Sequence, residues 1–286
     1  MTPLERSLMT IGCRDTDCIP KVSDAGKILV EGEYTLQLMH NGVRVIAGGY
    51  YGDWMSHVIR GLQGHHEPQE ELLFHHLMRY VRNNSVMAEL GAFWSYYTQW
   101  FLREIPGSRA LCVEPDPQNL MIGERNAAVN GHTERARYVQ AWIGGKHQIR
   151  HEACAESDGQ ALELPMFDMQ AVFDECACEV IELLHMDAQG AELPFLQSMQ
   201  SIVKRGGVRF LMVSTHHSSI TGSTTTHSDC IEAIRSCGGY VLVEHDVMES
   251  FSGDGLILAS FYACDATLQF PKISRNSAAT SLFKSA

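Results

Sequence analysis

From residue 85 to residue 261 the chain alternates between short apolar runs and stretches with helical spacing, and that rhythm limits the folds open to it. Residues 86–90, 110–113, 137–142, 180–186, 208–214, 240–244 and 255–261 read as strands. Residues 96–104, 117–130, 194–204 and 230–237 read as helices between them, stopped by Gly131, Gly206-Gly207 and Gly238-Gly239. Such alternation predicts an α/β architecture: a doubly wound, Rossmann-like sheet, mostly parallel, with helices on both faces.

Ahead of this region, segments 34–39 and 43–46 predict a β-hairpin across Asn41-Gly42. Helices are predicted over 53–63 and 67–82. In the second, Leu72, Leu73, Leu77, Tyr80 and Val81 recur at helical spacing, Pro68 suits a first turn, and Glu67, Glu70 and Glu71 suit the positive end of the helix dipole. The expected division is an N-terminal hairpin and helical extension over 1–82, a main domain over 83–265, and a Ser/Ala-rich tail over 266–286 that should be loosely ordered.

Composition narrows the function. A net charge of −12 opposes grip on a nucleic-acid backbone, which requires surplus Lys and Arg. No run approaches the roughly 18–20 apolar residues that cross a bilayer, and Glu5 and Arg6 sit where a signal peptide would be forming. Nine cysteines, at 13, 18, 112, 154, 176, 178, 230, 237 and 264, are odd in number, and the Cys176/Cys178 spacing is poor for zinc. A soluble, cytoplasmic protein with reduced thiols is expected, without membrane or nucleic-acid partners.

In open parallel sheets, ligands bind beyond the carboxyl ends of the strands where the strand order reverses. The first strand of the main domain runs into Gly91-Ala92-Phe93-Trp94-Ser95, and Gly91 permits a sharp turn and close approach of a ligand. The second ends in Glu114-Pro115-Asp116-Pro117, which places a carboxylate where ribose hydroxyls can be accepted. The same carboxylate would otherwise be a solvated strand end or a helix cap. Nicotinamide dinucleotides and S-adenosylmethionine both fit a glycine turn followed by an acid. A dinucleotide needs further glycines to cradle its pyrophosphate, and residues 93 and 95 are Phe and Ser. The phosphate-free cofactor, S-adenosylmethionine, is favoured.

Glu89-Leu90-Gly91-Ala92, then Glu114-Pro115-Asp116-Pro117 with Asn119, Asn126 and Asn130, then Asp187-Ala188-Gln189-Gly190-Ala191-Glu192 resemble the FkbM-type methyltransferases. The likeness runs over about residues 65–262, taking in Gly64-His65-His66-Glu67-Pro68-Gln69 and Ser252-Gly253-Asp254-Gly255. It implies a class I methyltransferase fold, whose last strand is antiparallel, and methyl transfer from S-adenosylmethionine to a hydroxyl, often of a sugar or natural product. It also implies Glu89 near the methionine end of the cofactor and Ala141-Trp142 near adenine, although Trp142 would serve equally as core. Gly91, Ala92, Glu114, Pro115, Asp116, Asn119 and Asp187 complete the implied cofactor set. Ser95 departs from the second glycine of many relatives, and Gln189 from their usual Glu.

An alcohol is a poor nucleophile until its proton is removed. Asp187, ending the fourth strand of the main domain, is the first candidate for general base or metal ligand; its plainer role is a helix cap. The fifth strand ends in Ser214-Thr215-His216-His217, and neighbouring side chains on an extended segment face opposite ways, so one histidine should enter the site. Asp187 and His216 are the expected ligands of a divalent metal if one is used, with Mg²⁺ disfavoured by the histidine. His65, His66, Glu67 and Gln69 are either a lid or a helix start. Tyr50, Tyr51 and Trp54 are either an acceptor wall or packing. The alternatives to a small-molecule or glycan methyltransferase are a nicotinamide-dependent oxidoreductase and a non-catalytic cofactor-binding partner protein; a homo-oligomer is left open.

Overall fold

The computed structural model describes residues 2–153, 161–277 and 279–283. Helix α1 (Pro3–Gly12) opens the chain with a capping box, Thr2 accepting from the Glu5 N–H while Glu5 accepts from the Thr2 N–H. Strands β1 (Ile28–Glu31), β2 (Tyr34–Leu38) and β3 (Arg44–Ile46) form an antiparallel sheet in that order. It contains the predicted hairpin and adds β1, which the sequence reading missed. Helices α2 (Asp53–Gly61) and α3 (Pro68–Leu77) follow. The latter stops short of the predicted 82: the Arg79 and Tyr80 N–H groups donate to the His76 and Leu77 carbonyls in tight turns, and the chain then passes through Asn84 (φ +57°) to the next strand.

The main domain then runs β4 (Val86–Leu90), α4 (Tyr96–Glu104), β5 (Arg109–Val113), α5 (Pro117–Asn130) and β6 (Ala136–Val139). An excursion follows through β7 (Trp142–Ile143), β8 (Gln148–Ala153) and β9 (Ala161–Phe167), returning by α6 (Met169–Cys176) to β10 (Ile181–Met186). The chain finishes with α7 (Glu192–Ser198), α8 (Gln200–Lys204), β11 (Val208–Thr215), α9 (Ser218–Thr221), α10 (Thr226–Ser236), β12 (Tyr240–His245) and β13 (Gly255–Ser260).

Seven strands form one sheet in the order β12-β13-β11-β10-β4-β5-β6, and β13 alone runs antiparallel to its neighbours. This is the expected doubly wound sheet with an antiparallel last strand. Strands β4, β10 and β13 are buried at every position, as a sheet covered on both faces requires. Met87, Leu183, Phe210 and Leu258 face one core, and Ala88, Leu184, Leu211 and Ile257 the other. The first core also takes in Met39, Val43, Val45, Val58 and Ile59, so the N-terminal extension and one sheet face bury their apolar surface together.

Two predicted elements divide. The strand read over 137–142 ends at Val139, whose carbonyl accepts the Glu114 N–H just past the end of β5. With no neighbour beyond, the chain leaves the sheet, and Trp142–Ile143 pair with β9 in a separate three-stranded sheet, β7-β9-β8. The helix read over 194–204 starts earlier, at Glu192, because Pro194 is tolerated in a first turn, and it is split between α7 and α8 at Met199.

Asn126 and Asn130 bind the extension to the main domain. Asn126 Oδ1 accepts the Ile46 N–H (2.8 Å) while its Nδ2 donates to the Trp94 carbonyl (2.8 Å). Asn130 accepts the Arg44 N–H (3.0 Å) and donates to the Arg44 carbonyl (2.7 Å). Helix α5 thus supplies, through two carboxamides, the partner that β3 lacks on its free edge. The tail, expected to be loose, is tied down where it is described: Ser274 N–H donates to Asp15 (2.9 Å), Gln69 Nε2 to the Ser274 carbonyl (2.8 Å), and Asn276 Nδ2 to the Ser250 carbonyl (3.0 Å). The eight described cysteines are free thiols; Cys154 lies outside the described residues. Among the described residues, no helix is long and apolar enough to cross a membrane.

Candidate active site

The strand order reverses between β4 and β10, and beyond their carboxyl ends lies a cavity of about 1000 Å³. Gly91, Glu114, Trp142, Asp187, His216 and Asp254 all line it.

The loop after β4 has left-handed φ values at Gly91 (+74°), Phe93 (+41°) and Ser95 (+57°). The backbone therefore holds glycine-favouring geometry at alternate positions although two of them carry side chains. Gly91 itself is required by the protein: a Cβ there would lie 1.7 Å from the Asp187 carbonyl oxygen. The sequence reading assigned this glycine to ligand approach; the close pass of two strand-end loops already demands it.

Glu114 holds this loop. Its Oε2 accepts the Phe93 N–H (2.9 Å) and its Oε1 the Asp116 N–H (3.0 Å). Burial pushes its pKa up to about 7, against the opposing pull of those two N–H groups. Each oxygen retains acceptor capacity beyond these bonds. Pro115 and Asn119 line the cavity beside it. Trp142 also does so, and its indole N–H is buried without a partner.

The remaining residues of the implied cofactor set stand behind the wall rather than on it. Glu89 accepts the Thr98 N–H (3.0 Å), bracing the first turn of α4, and burial pushes its pKa up to about 7. Asp116 caps α5 by accepting from Gln118 and Asn119. Ala92 and Ala141 are buried and do not line the cavity.

A cluster of titratable side chains in the cavity centres on His216. Its Nδ1 lies 2.6 Å from Glu192 Oε1 and its Nε2 3.1 Å from Asp187 Oδ1 and 3.6 Å from Asp254 Oδ1. Burial would lower its pKa, but Asp254, Asp187 and Glu192 outweigh burial and hold it well above the usual imidazole range. Burial would raise Asp187, yet the hydrogen bond and charge of His216 keep it below the ordinary carboxylate value. Asp254 is pushed up to about 7, chiefly by burial, with His216 opposing and Asp187 adding repulsion. Sequence reasoning placed Asp254 within a motif without giving it a role. The available signal was its flanking glycines, of which Gly253 has φ +130°.

The two histidines part as expected. His217 caps the short α9, its Nδ1 accepting the Ser219 N–H, and stacks on Phe283 with ring centroids 3.9 Å apart. His227 bonds Thr215 and Glu244, and Asp229 accepts from Thr225, both away from the cavity.

His65, His66, Glu67 and Gln69 take the helix-start role rather than that of a lid. Glu71 is the hub of the first three, accepting the His66 N–H (2.6 Å) and the Glu67 N–H (3.2 Å) and lying 2.5 Å from His65 Nδ1, while Gln69 bonds the backbone of Glu249, Phe251 and Ser274. His40, His65 and Glu71 are the group whose ligand atoms cluster closely enough for a metal among the described residues. They fit an ion poorly: the Glu71 oxygens are occupied, His40 Nδ1 bonds Tyr96 (3.0 Å), and the two imidazoles stack at 4.0 Å. Tyr50, Tyr51 and Trp54 line the cavity, together with Arg6 from α1 and Leu282 and Phe283 from the tail. The last three were not anticipated from the sequence, since nothing local marks a contact spanning the whole chain.

The solved structures that resemble this fold include a protein of the NADB-Rossmann superfamily from Streptococcus agalactiae, at 12% identity and a TM-score of 0.42, covering 65% of this chain and 66% of that one. They also include an O-methyltransferase from Bacillus cereus in complex with S-adenosylhomocysteine, at 13% identity and 0.40, covering 67% and 80%. A third is precorrin-6y C5,15-methyltransferase from Geobacter metallireducens, at 11% and 0.42, covering 67% and 86%. The chain thus spans just under two thirds of the Streptococcus protein's length. None of the curated proteins matches the sequence. The methyltransferase FkbM domain family matches residues 80–240, more than half of the 286 residues and the stretch from the end of α3 to the start of β12 that carries Gly91, Glu114, Asp187 and His216. The chain belongs to the FkbM methyltransferase family.

Proposed function

We propose that the protein transfers a methyl group from S-adenosylmethionine to a hydroxyl oxygen of a small molecule, a sugar or a glycosylated natural product. The observation that carries this reading is that Glu114 and the Asp187–His216 pair face one cavity at the reversal of strand order. The residues fit the cofactor. Glu114 offers acceptors to ribose hydroxyls, and the unpartnered Trp142 N–H offers a donor to a heterocycle nitrogen. The loop carries Phe93 and Ser95 where a pyrophosphate cradle would need glycines, which disfavours the nicotinamide alternative.

Bound S-adenosylmethionine supplies an electrophilic methyl on a sulfonium. The protein has to line up the nucleophile, which is worth about 7–11 kcal/mol of barrier when geometry is held. As the O–C bond forms and the S–C bond breaks, the hydroxyl proton passes to a cavity carboxylate. Asp187, paired with His216, is a weak base and suits orientation of the hydroxyl; Asp254, near 7, is better matched to receive the proton. If a divalent ion takes part, Asp187 and His216 would hold it, with Glu192 fixing the imidazole through Nδ1. A small-molecule acceptor in a reducing, cytoplasmic setting fits the net charge of −12 and the free thiols among the described residues.

The test is a labelled-methyl assay across nucleotide sugars, glycosides and phenols, with and without divalent metal, beside calorimetry with S-adenosylhomocysteine and NAD. Binding of NAD but not S-adenosylhomocysteine would overturn the assignment. Methyl transfer to any acceptor would exclude a purely non-catalytic role.

A further inference from the structure

The family match covers residues 80–240, and part of the cavity wall comes from outside it on both sides. Tyr51 and Trp54 come from the segment entering α2, Arg6 from α1, and Leu282 and Phe283 from the tail. These groups adjoin the proton-handling end of the cavity. A Cβ on Gly253, the residue before Asp254, would lie 3.0 Å from Arg6 Nη2 and 3.3 Å from Leu282 Cδ1. Arg6 in turn donates to the Ser252 carbonyl (2.6 Å) and sits 5.5 Å from the Trp54 ring centroid. Trp54, Arg6, Leu282 and the Asp254 loop are therefore contiguous.

Phe283 extends this wall, and its ring is backed face to face by His217, 3.9 Å away at an interplanar angle of 8°. The tail reaches this point along a bonded track: Asn276 donates to the Ser250 carbonyl (3.0 Å), and Arg275 pairs with Glu249. Tyr51 and Trp54 are themselves linked, with centroids 6.0 Å apart, and Phe93 lies 5.4 Å from Tyr51. An aromatic wall from the start of the chain and a braced aromatic ring from its other end thus line the same cavity. Both are only half-buried, unlike the fully buried rings of the core.

We propose that the acceptor carries a planar apolar ring beside its reactive hydroxyl, and that this ring is gripped between the Tyr51–Trp54 wall and Phe283. Aromatic faces reward a flat partner through both buried area and ring–ring geometry, and a half-exposed aromatic pair lining a cavity is a typical anchor for such a ligand. His217 acts as a positioning residue, holding the Phe283 ring through its own face. This narrows the acceptor class of the proposed methyl transfer and rests on that reading, favouring a phenol or the aglycone side of a glycoside over a bare hexose.

The experiment uses the full chain saturated with S-adenosylhomocysteine and titrated with 4-methylumbelliferone, a planar ring with one hydroxyl, or with methyl β-D-glucopyranoside, which has no planar ring. The first should bind at least about tenfold more tightly than the second. Phe283→Ala should weaken 4-methylumbelliferone about tenfold, Phe283→Tyr should restore it to within about threefold, and both should leave S-adenosylhomocysteine affinity within about twofold. His217→Ala should reproduce part of the loss and His217→Phe should not, because stacking alone is required. Equal affinity for the two probes, no saturable binding of the planar one, or an unaffected Phe283→Ala protein would each overturn the proposal. A His217→Phe protein as weak as His217→Ala would remove His217 from it. Failure of S-adenosylhomocysteine to bind the unaltered chain would instead sink the cofactor reading, and this inference with it.

Discussion

The carbonyl oxygen of Asp187 occupies the space in which a side chain on Gly91 would begin, 1.7 Å from its ideal Cβ. The two residues directly follow the paired strands β4 and β10, and both line the cavity. Gly91→Ala must push the strand ends apart and adopt a left-handed φ as well. Overpacking and backbone strain together should cost about 3 kcal/mol, read as a fall in the urea midpoint at unchanged slope. S-adenosylhomocysteine binding should be lost even where the protein stays folded; a variant that binds it normally would show that the loop spacing is immaterial.

Glu114 should make cofactor binding dependent on pH. With the carboxyl pushed up to about 7, the group is protonated on the acid side and has given up acceptors for ribose hydroxyls. Affinity for S-adenosylhomocysteine should therefore rise about tenfold between roughly pH 6 and pH 8, and Glu114→Gln should bind weakly with a flat profile. The ligand-free fold responds in the other direction. A carboxyl with a raised folded pKa contributes stability below its unfolded value of 4.5, and that contribution is lost as pH climbs through about 7. Calorimetry at several pH values, with unfolding on the same samples, separates the two trends.

Asp187→Ala should nearly abolish methyl transfer and leave cofactor affinity within about threefold. His216→Ala should do something different. It removes the imidazole that pairs with Asp187, Glu192 and Asp254, so about 3–5 kcal/mol of stability should go with it. Comparing turnover and thermal midpoint for the two proteins tests this directly. Wild-type-like turnover in the aspartate variant would exclude that residue from the chemistry.

Much of the main sheet was legible because burial on both faces leaves a plain trace: β4 and α4 were read to the residue, and β5, β10, β11 and β13 to within one residue at each end. The excursion β7–β9 was not, because β8 is largely exposed and its sequence carries no alternation to read. Site residues divided the same way. Gly91, Glu114 and Asp187 sit at strand tips where chain order dictates position, and all three reach the cavity. Glu89 and Asp116 are equally prominent in the motifs, but their bonds go to the N–H groups of Thr98, Gln118 and Asn119, so the motif marked loop construction there. Arg6, Leu282 and Phe283 arrive only through long-range packing, which no local pattern encodes.

Ser95 holds φ +57° and ψ +37° at the entrance to α4. A left-handed conformation costs a residue with a Cβ about 1–2 kcal/mol, and glycine escapes it while losing some chain entropy. Ser95→Gly is therefore expected to stabilise the fold by about 0.5–1 kcal/mol, measured as a higher denaturant midpoint, without weakening S-adenosylhomocysteine. A destabilised variant would mean that the hydroxyl contributes more than the strain removes.

Asn126 holds the Ile46 amide with one end of its carboxamide and the Trp94 carbonyl with the other. Trp94 belongs to the loop that Glu114 clamps, whereas Ile46 lies far upstream in a different sheet. Tightening of that loop by a ligand should accordingly slow hydrogen–deuterium exchange at the Ile46 amide, which does not itself line the cavity. Heating should melt both sheets in one transition, since neither can open without breaking the same carboxamide bridge.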